Sequence, residues 1–242
     1  MRTLRRSAKG PHTIRAYLKP AHGWALPFDH ARVRDPHALL DQGFADLMAD
    51  ERLAVRFIIE PAGAATVRDF RAQAERLRAE RHAPPDSLGG RIRHLGSSLW
   101  WGVRQRASLS LIRLDASAVE EKARAQLLTM QIHLWVQAAT RDLAEGRMMW
   151  LRQGFDACAS WRNWLRRHEP WRRRRFDRCF AGEGSWPGAT FVVSLDEACV
   201  LTGLPRLVLA TLSERQVWTR WSGGGGEMPG TTGPHSGEGP DA

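Results

Sequence analysis

The fold is decided by the stretch Leu128-Thr-Met-Gln-Ile-His-Leu-Trp-Val-Gln137, in which every second side chain is aliphatic. A period of two places those side chains on one face of a β-strand. The pattern changes to helical spacing over Arg141 to Ala159. The apolar seam of that helix consists of Ala144, Met148, Leu151, Phe155 and Cys158. A strand followed closely by an amphipathic helix predicts one half of an α+β domain.

The same order of elements occurs nearer the amino terminus. His12 to Leu18 and Leu53 to Ile59 alternate as strands, and Thr66 to Arg81 has the apolar spacing of a helix. Asp35-Pro36 is a favourable start for a further helix, because Asp caps and Pro fits the first turn. We therefore predict an α+β fold with two strand–helix, ferredoxin-like halves.

Shorter elements complete the second half. The sequence predicts a helix over Ala116 to Gln126 and strands over Trp161 to His168 and Thr190 to Val193. Ser194-Leu-Asp-Glu is a capping box, which predicts a short helix that ends near Gly203.

The remaining segments lack these periodicities. We assign the chain to a basic flexible amino terminus (1–11), a first half (12–82), an irregular loop-rich insertion (83–114), a second half (115–206), a carboxy-terminal extension (207–221) and a disordered Gly/Pro-rich tail (222–242). The tail holds eight Gly and three Pro and has no apolar period, which is typical of disorder.

Charge is the most unusual bulk property. The 242 residues carry a net charge of +10, and 33 of the 36 basic residues are arginine. Such a surplus favours polyanionic partners such as nucleic acid. It is also what a GC-rich genome encodes in any protein, so composition alone leaves both explanations open.

Composition also bounds the cellular setting. The three cysteines, Cys158, Cys179 and Cys199, are odd in number and too far apart for a zinc knuckle. We expect reduced thiols in a cytoplasmic protein. No run of about eighteen apolar residues and no secretory signal is present, so we expect no transmembrane segment.

Catalytic motifs are missing from the sequence. None of the lysines follows a Gly or precedes a Ser or Thr, so there is no P-loop, and zinc-hydrolase and esterase motifs do not occur. We predict no catalytic residue, metal site or cofactor. His133 and Trp135 lie on the polar face of the clearest strand, where we expect surface residues at a protein interface.

One segment combines basic and aromatic residues. Trp161 to Arg178 holds three Trp and eight Arg in 18 residues. Arginine contacts phosphates, and indole or guanidinium planes stack on unpaired bases, so an exposed segment would bind single strands in a salt-dependent way. In the alternative, Trp161, Trp164 and Trp171 are core or rim residues, and the arginines are solvated or pair with Asp177 and Glu169. The candidate nucleic-acid contacts are Trp171, Arg172, Arg173, Arg174, Arg175 and Arg178.

Several stretches together carry a family resemblance, from residue 30 to residue 206. They are Asp35-Pro-His-Ala-Leu-Leu, Glu51-Arg-Leu-Ala-Val-Arg-Phe-Ile-Ile-Glu-Pro-Ala, Glu121-Lys-Ala-Arg-Ala-Gln-Leu-Leu, Trp171-Arg-Arg-Arg-Arg-Phe-Asp-Arg and Val193-Ser-Leu-Asp-Glu-Ala-Cys-Val-Leu-Thr-Gly-Leu-Pro. The layout resembles the amino-terminal, non-motor region of actinobacterial conjugative coupling ATPases of type IV secretion systems. Past Pro205, where that family enters its ATPase domain, this sequence has no counterpart.

The resemblance implies a non-enzymatic accessory protein of DNA transfer. Its expected partner is a separately encoded motor ATPase, and it would be cytoplasmic, peripheral to a membrane-bound transfer complex. Docking, or pairing with a second copy as a homo-oligomer, would use a sheet edge or the Trp-bearing faces, with DNA contacted through Trp171 to Arg175. The alternatives are an independent basic nucleic-acid-binding protein, a truncated non-functional remnant, and an enzyme with a dispersed site.

Overall fold

The protein is described by a computed structural model over residues 11–22, 27–28, 40, 44–82, 116–156, 158–159, 163–181, 186 and 188–223. The described part has six strands and six helices, which confirms the α+β class. In chain order they are β1 (His12–Pro20), β2 (Arg52–Pro61), α1 (Ala64–His82), α2 (Ala116–Arg124), β3 (Leu127–Ala138), α3 (Arg141–Asp156), β4 (Leu165–His168), α4 (Arg173–Phe180), β5 (Phe191–Ser194), α5 (Leu195–Thr202), α6 (Arg206–Ala210) and β6 (Gln216–Gly223).

All six strands form one antiparallel sheet. Its order is β4-β1-β3-β2-β6, and β5 pairs with the start of β3. On one edge of β3, residues 132–138 pair with β1 and residues 127–130 pair with β5. The other edge pairs with β2. The two halves predicted from the sequence therefore share a single sheet, with β3 at its centre.

One face of the sheet carries the main core. The aliphatic residues of β3 point toward α3 and α5, and the predicted helix seam from Ala144 to Cys158 is buried against them, as expected. The strand predicted over Leu53 to Ile59 is β2, and its alternate residues Leu53, Val55, Phe57 and Ile59 are at 3% exposure or less.

The opposite face of the sheet is covered as well, which the alternating pattern did not predict. At one end α1 and α2 bury Phe70 and Val119 against Leu127. Further along, α4 and Trp186 cover Ala54 of β2. The polar-face side chains of β3 are therefore enclosed by a second layer, and β2 is buried on both faces.

The start of α5 follows its sequence signature. The Ser194 hydroxyl accepts from the Glu197 amide, and the Glu197 carboxylate accepts from the Ser194 amide, which is the predicted capping box. The helix ends at Gly203, where φ is +67° and glycine is favoured.

Other boundaries differ from the predictions. β4 begins only at Leu165, and α4, α6 and β6 arise where no element was assigned. β6 pairs with β2, so the predicted extension contributes a strand to the sheet, and Ser222 and Gly223 of the predicted tail belong to it. Residues 1–10, the start of the predicted helix at Asp35, the insertion at 83–114 and residues 224–242 lie outside the described residues.

Two further observations concern the described part of the chain. None of its helices combines the length and the apolar character needed to cross a bilayer. Its three cysteines form no disulfide.

Candidate nucleic-acid interface

Helix α4 is fixed to the sheet by one apolar side. Phe176, Cys179 and Phe180 have the spacing of one helical face, and all three are buried. The Phe176 ring lies 5.0 Å from the His133 ring and 5.8 Å from the Trp186 ring. Because this side packs down, the other side of α4 points to solvent.

The outward side of α4 and the residue before it are almost all arginine. Arg172, Arg173, Arg174 and Arg178 are exposed, and Arg175 is half-buried. These five arginines line a single surface depression. The structure therefore brings together the five arginines predicted as nucleic-acid contacts.

The carboxylates near this cluster are engaged elsewhere. Asp177 accepts from Arg15 of β1, whose Nε and Nη2 both donate to it, the latter at 2.9 Å. Glu169 accepts from Arg167 Nη2 at 3.0 Å. Within the described ranges no carboxylate pairs with the arginines from 172 to 175 or with Arg178. Within the segment, Glu169 therefore pairs with Arg167 rather than with the run from Arg172 to Arg175, whose first three arginines are exposed to solvent.

The cluster also lies at the unfavourable end of its helix for positive charge. The amino-terminal turn of α4 carries Arg173 to Arg175 and no acidic residue, and Arg172 at the cap position makes no side-chain capping bond. Unpaired backbone amides and the helix dipole make the amino-terminal end of a helix electropositive. Cationic side chains are therefore unfavourable at this end, whereas a bound anion is stabilised there. The arrangement is suited to holding a phosphate.

Trp171 stands directly before this helix. Its side chain is 75% exposed, and the guanidinium carbon of Arg172 lies 4.1 Å from its ring centroid. The indole of Trp171 is therefore accessible from solvent. Trp186, by comparison, is 2% exposed and belongs to the core.

The candidate contacts chosen from the segment Trp161 to Arg178 left out Trp164, Arg166 and His168. Arg166 and His168 of β4 are directly opposite Lys19 and Tyr17 of β1, so they face the side of the sheet on which α4 lies. Arg166 also lies 5.3 Å over the ring of Trp164. Residues 164, 166 and 168 alternate along the chain, which would have indicated that they share one face of a strand. The choice of candidate contacts instead followed the run of arginines that comes after them.

The two residues predicted at a protein interface, His133 and Trp135, differ in exposure. His133 is 0% exposed, opposite Arg56 and beneath Phe176, so the prediction that it is a surface residue is wrong. Burial and the nearby charges of Arg56 and Arg215 lower the pKa of His133 to about 3. Trp135 is half-buried and packs against the apolar group that includes Phe176 and Phe180 of α4, so it too is chiefly a packing residue.

Two observations concern metal-binding and nucleophilic side chains among the described residues. No three of their His, Cys, Asp and Glu side chains gather closely enough to hold a metal ion. Burial raises the pKa of the Cys158 thiol to about 12, which makes it a poor nucleophile. The arrangement at α4 can instead attract and hold anions.

Comparison of the chain with models of protein families, with curated protein sequences and with solved structures found no match.

Proposed function

We propose that this protein is a non-enzymatic nucleic-acid-binding protein that holds phosphates on the arginine cluster of Arg172–Arg175 and Arg178. One observation carries the proposal. These five arginines line one surface depression, and no carboxylate of the described residues pairs with them. Holding so many like charges together is unfavourable in the free protein, and a polyanion relieves the repulsion.

The identity of the cations supports a phosphate ligand. Arginine presents a planar fork that donates two parallel hydrogen bonds to a phosphate, whereas lysine acts as a point charge. Phe176 and Phe180 are buried and fix α4 to the sheet, so the backbone that carries the arginines is held in place. A backbone that is already ordered reduces the conformational entropy lost on binding.

A double substitution tests the proposal. In R173Q/R174Q two exposed arginines of the cluster become neutral, and we expect nucleic-acid affinity measured by fluorescence anisotropy to fall about tenfold or more at low salt. The matched control is R152Q/R206Q, which removes the same charge from α3 and α6 on the opposite face of the sheet. An equal loss in both variants would show that net charge, not this cluster, binds the ligand.

The cellular setting is a second part of the proposal. The resemblance to conjugative coupling ATPases supports a role beside a separately encoded motor ATPase during DNA transfer. Its test is co-purification of this protein with the product of a neighbouring motor gene, with and without added DNA. If no motor protein is retained under either condition, the DNA-transfer role is lost while nucleic-acid binding is still judged by the arginine variants.

A further inference from the structure

We infer that the surface beside α4 selects single-stranded over double-stranded nucleic acid through two tryptophan–arginine stacks. The inference rests on the proposed function and adds the class of nucleic acid bound. The residues concerned, called the stacking track below, are Trp164, Arg166, His168, Trp171 and Arg172.

The first stack is Trp171 with Arg172. With 75% of the Trp171 side chain exposed, most of the indole surface is in water, although the residue joins two ordered elements, β4 and α4. The guanidinium of Arg172, 4.1 Å from the ring centroid, holds the indole beside the arginine cluster. An indole presented in this way offers its ring to a flat ligand that also carries a phosphate.

The second stack is Trp164 with Arg166, whose guanidinium carbon lies 5.3 Å from the centroid of the Trp164 ring. The Trp164 ring is held from the side by the edge of His22, at a centroid distance of 4.4 Å. Its backbone is held too, because the Ala21 amide donates to the Trp164 carbonyl at 2.8 Å. The indole is therefore positioned by the two residues that follow β1, and it needs no ligand to order it.

The two stacks are close in the chain, because Trp164 and Trp171 are seven residues apart. Between them runs β4, whose exposed Arg166 and His168 face the α4 side of the sheet. Four extended residues span about 13 Å, which is longer than a single base. Aromatic rings at both ends of this strand, with cations between and beyond them, match a backbone whose bases are unstacked.

Base pairing decides which nucleic acid can use these rings. In a duplex each base is covered by its neighbours, so an indole reaches only its edge or the backbone. In a single strand every base exposes a ring face, and stacking on aromatic side chains is tolerant of sequence. The arginines bind both forms, whereas the stacking track adds affinity only for the unpaired one.

The same cations could attract an anionic membrane, but the apolar surface does not support it. Of the large apolar side chains exposed in the described residues, Trp171 is the only one in this segment. The others lie away from it, namely Met48, Met149, Leu207, Val208 and Val217. One indole buries too little apolar area to anchor a protein stably in a bilayer.

The experiment compares a labelled thymidine strand of about 15 nucleotides with a duplex of equal length, by anisotropy with the full-length protein. For W171A we expect single-strand affinity to fall roughly five- to hundredfold and duplex affinity to stay within about twofold. W171F should restore most of the single-strand affinity, since it returns an aromatic ring. L207A is the control, because Leu207 is also 75% exposed but lies on α6.

The outcomes separate this inference from the proposed function. Equal binding of strand and duplex by the wild-type protein, or an equal loss for both in W171A, overturns single-strand selection and leaves the arginine cluster as the site. No binding of either nucleic acid overturns both. Binding to phosphatidylserine vesicles that single-stranded DNA fails to compete away also overturns the inference.

Discussion

Lys122 and Glu197 form an ion pair inside the protein. The ammonium of Lys122 lies 2.9 Å from Glu197 Oε2, and the two side chains are 2% and 1% exposed. The same carboxylate accepts from the amides of Phe28 at 2.7 Å and Ser194 at 2.6 Å. Because all of these donors meet at one group, Glu197 joins α2 to the start of α5 and to Phe28.

Removing that carboxylate should destabilise the fold strongly. In E197A the Lys122 ammonium keeps its burial but loses Glu197, and two amides lose their acceptor, so we expect the free energy of unfolding to fall by about 3–5 kcal/mol. Urea denaturation measures it. K122M/E197Q, which removes both charges and keeps an amide oxygen, should be more stable than E197A. A loss below about 1 kcal/mol in E197A contradicts this role.

His133 should make stability depend on pH. Its pKa in the fold is about 3, below the ordinary value of 6.5, so the unfolded chain binds the extra proton. With respect to His133, the free energy of unfolding is therefore highest above pH 6.5. It declines as the pH falls toward 3, by at most about 1.4 kcal/mol per pH unit.

The matched variant for His133 is H133L. Neither ring nitrogen of His133 has a hydrogen-bond partner in the described structure. An apolar replacement should therefore be neutral or stabilising at pH 7, and its advantage over the wild type should grow in urea titrations at lower pH. Parallel pH curves for the two proteins would show that His133 is not held neutral by burial.

Asp177 is the one acidic residue on α4, and Arg15 holds it. The pair is 20% and 40% exposed, so D177N should cost the fold at most about 1 kcal/mol. It removes a negative charge from the binding face and frees Arg15, so nucleic-acid affinity should rise, by up to about fivefold for a phosphate about 4 Å away.

Anisotropy at low salt, together with a denaturation curve, checks the Asp177 prediction. The control is D156N, which removes an equally exposed carboxylate from α3, and we expect no gain in affinity from it. A folded D177N protein that binds nucleic acid more weakly than the wild type contradicts the prediction.

Much of the main core was predictable because it depends on local periodicity. The alternation in β3 and the spacing from Ala144 to Cys158 each specify one buried face, and the capping box at Ser194 marks a helix start. These signals lie within a few residues of one another, so a single sequence contains them.

The second layer was not predictable in the same way. Gln131 and His133 are polar, which indicates an exposed face, yet both are buried, and the ring of His133 lies 5.0 Å from that of Phe176 of α4. Gln131 is satisfied there by the hydroxyl of Thr190, to which it donates at 2.8 Å, and by the amide of Trp186, from which it accepts at 3.1 Å. Such distant partners leave no periodic trace, so burial of a polar strand face depends on contacts that only the fold reveals.

The candidate site was predicted in part. A run of four arginines is visible in the sequence, but the sequence does not show which carboxylates pair with it. The pairs Asp177–Arg15 and Glu169–Arg167, which only the fold shows, engage the two nearest carboxylates in the sequence. The contribution of β4 likewise depends on its register with β1.

The most direct test of the central claim is the salt dependence of nucleic-acid binding. If the five arginines contact phosphates, the logarithm of the association constant for a single strand should fall with the logarithm of salt concentration at a slope of about −3.5. In R173Q/R174Q the slope should be shallower by about 1.4, and in R152Q/R206Q it should be unchanged. Equal slopes in the wild type and R173Q/R174Q would contradict the assignment of phosphate binding to α4.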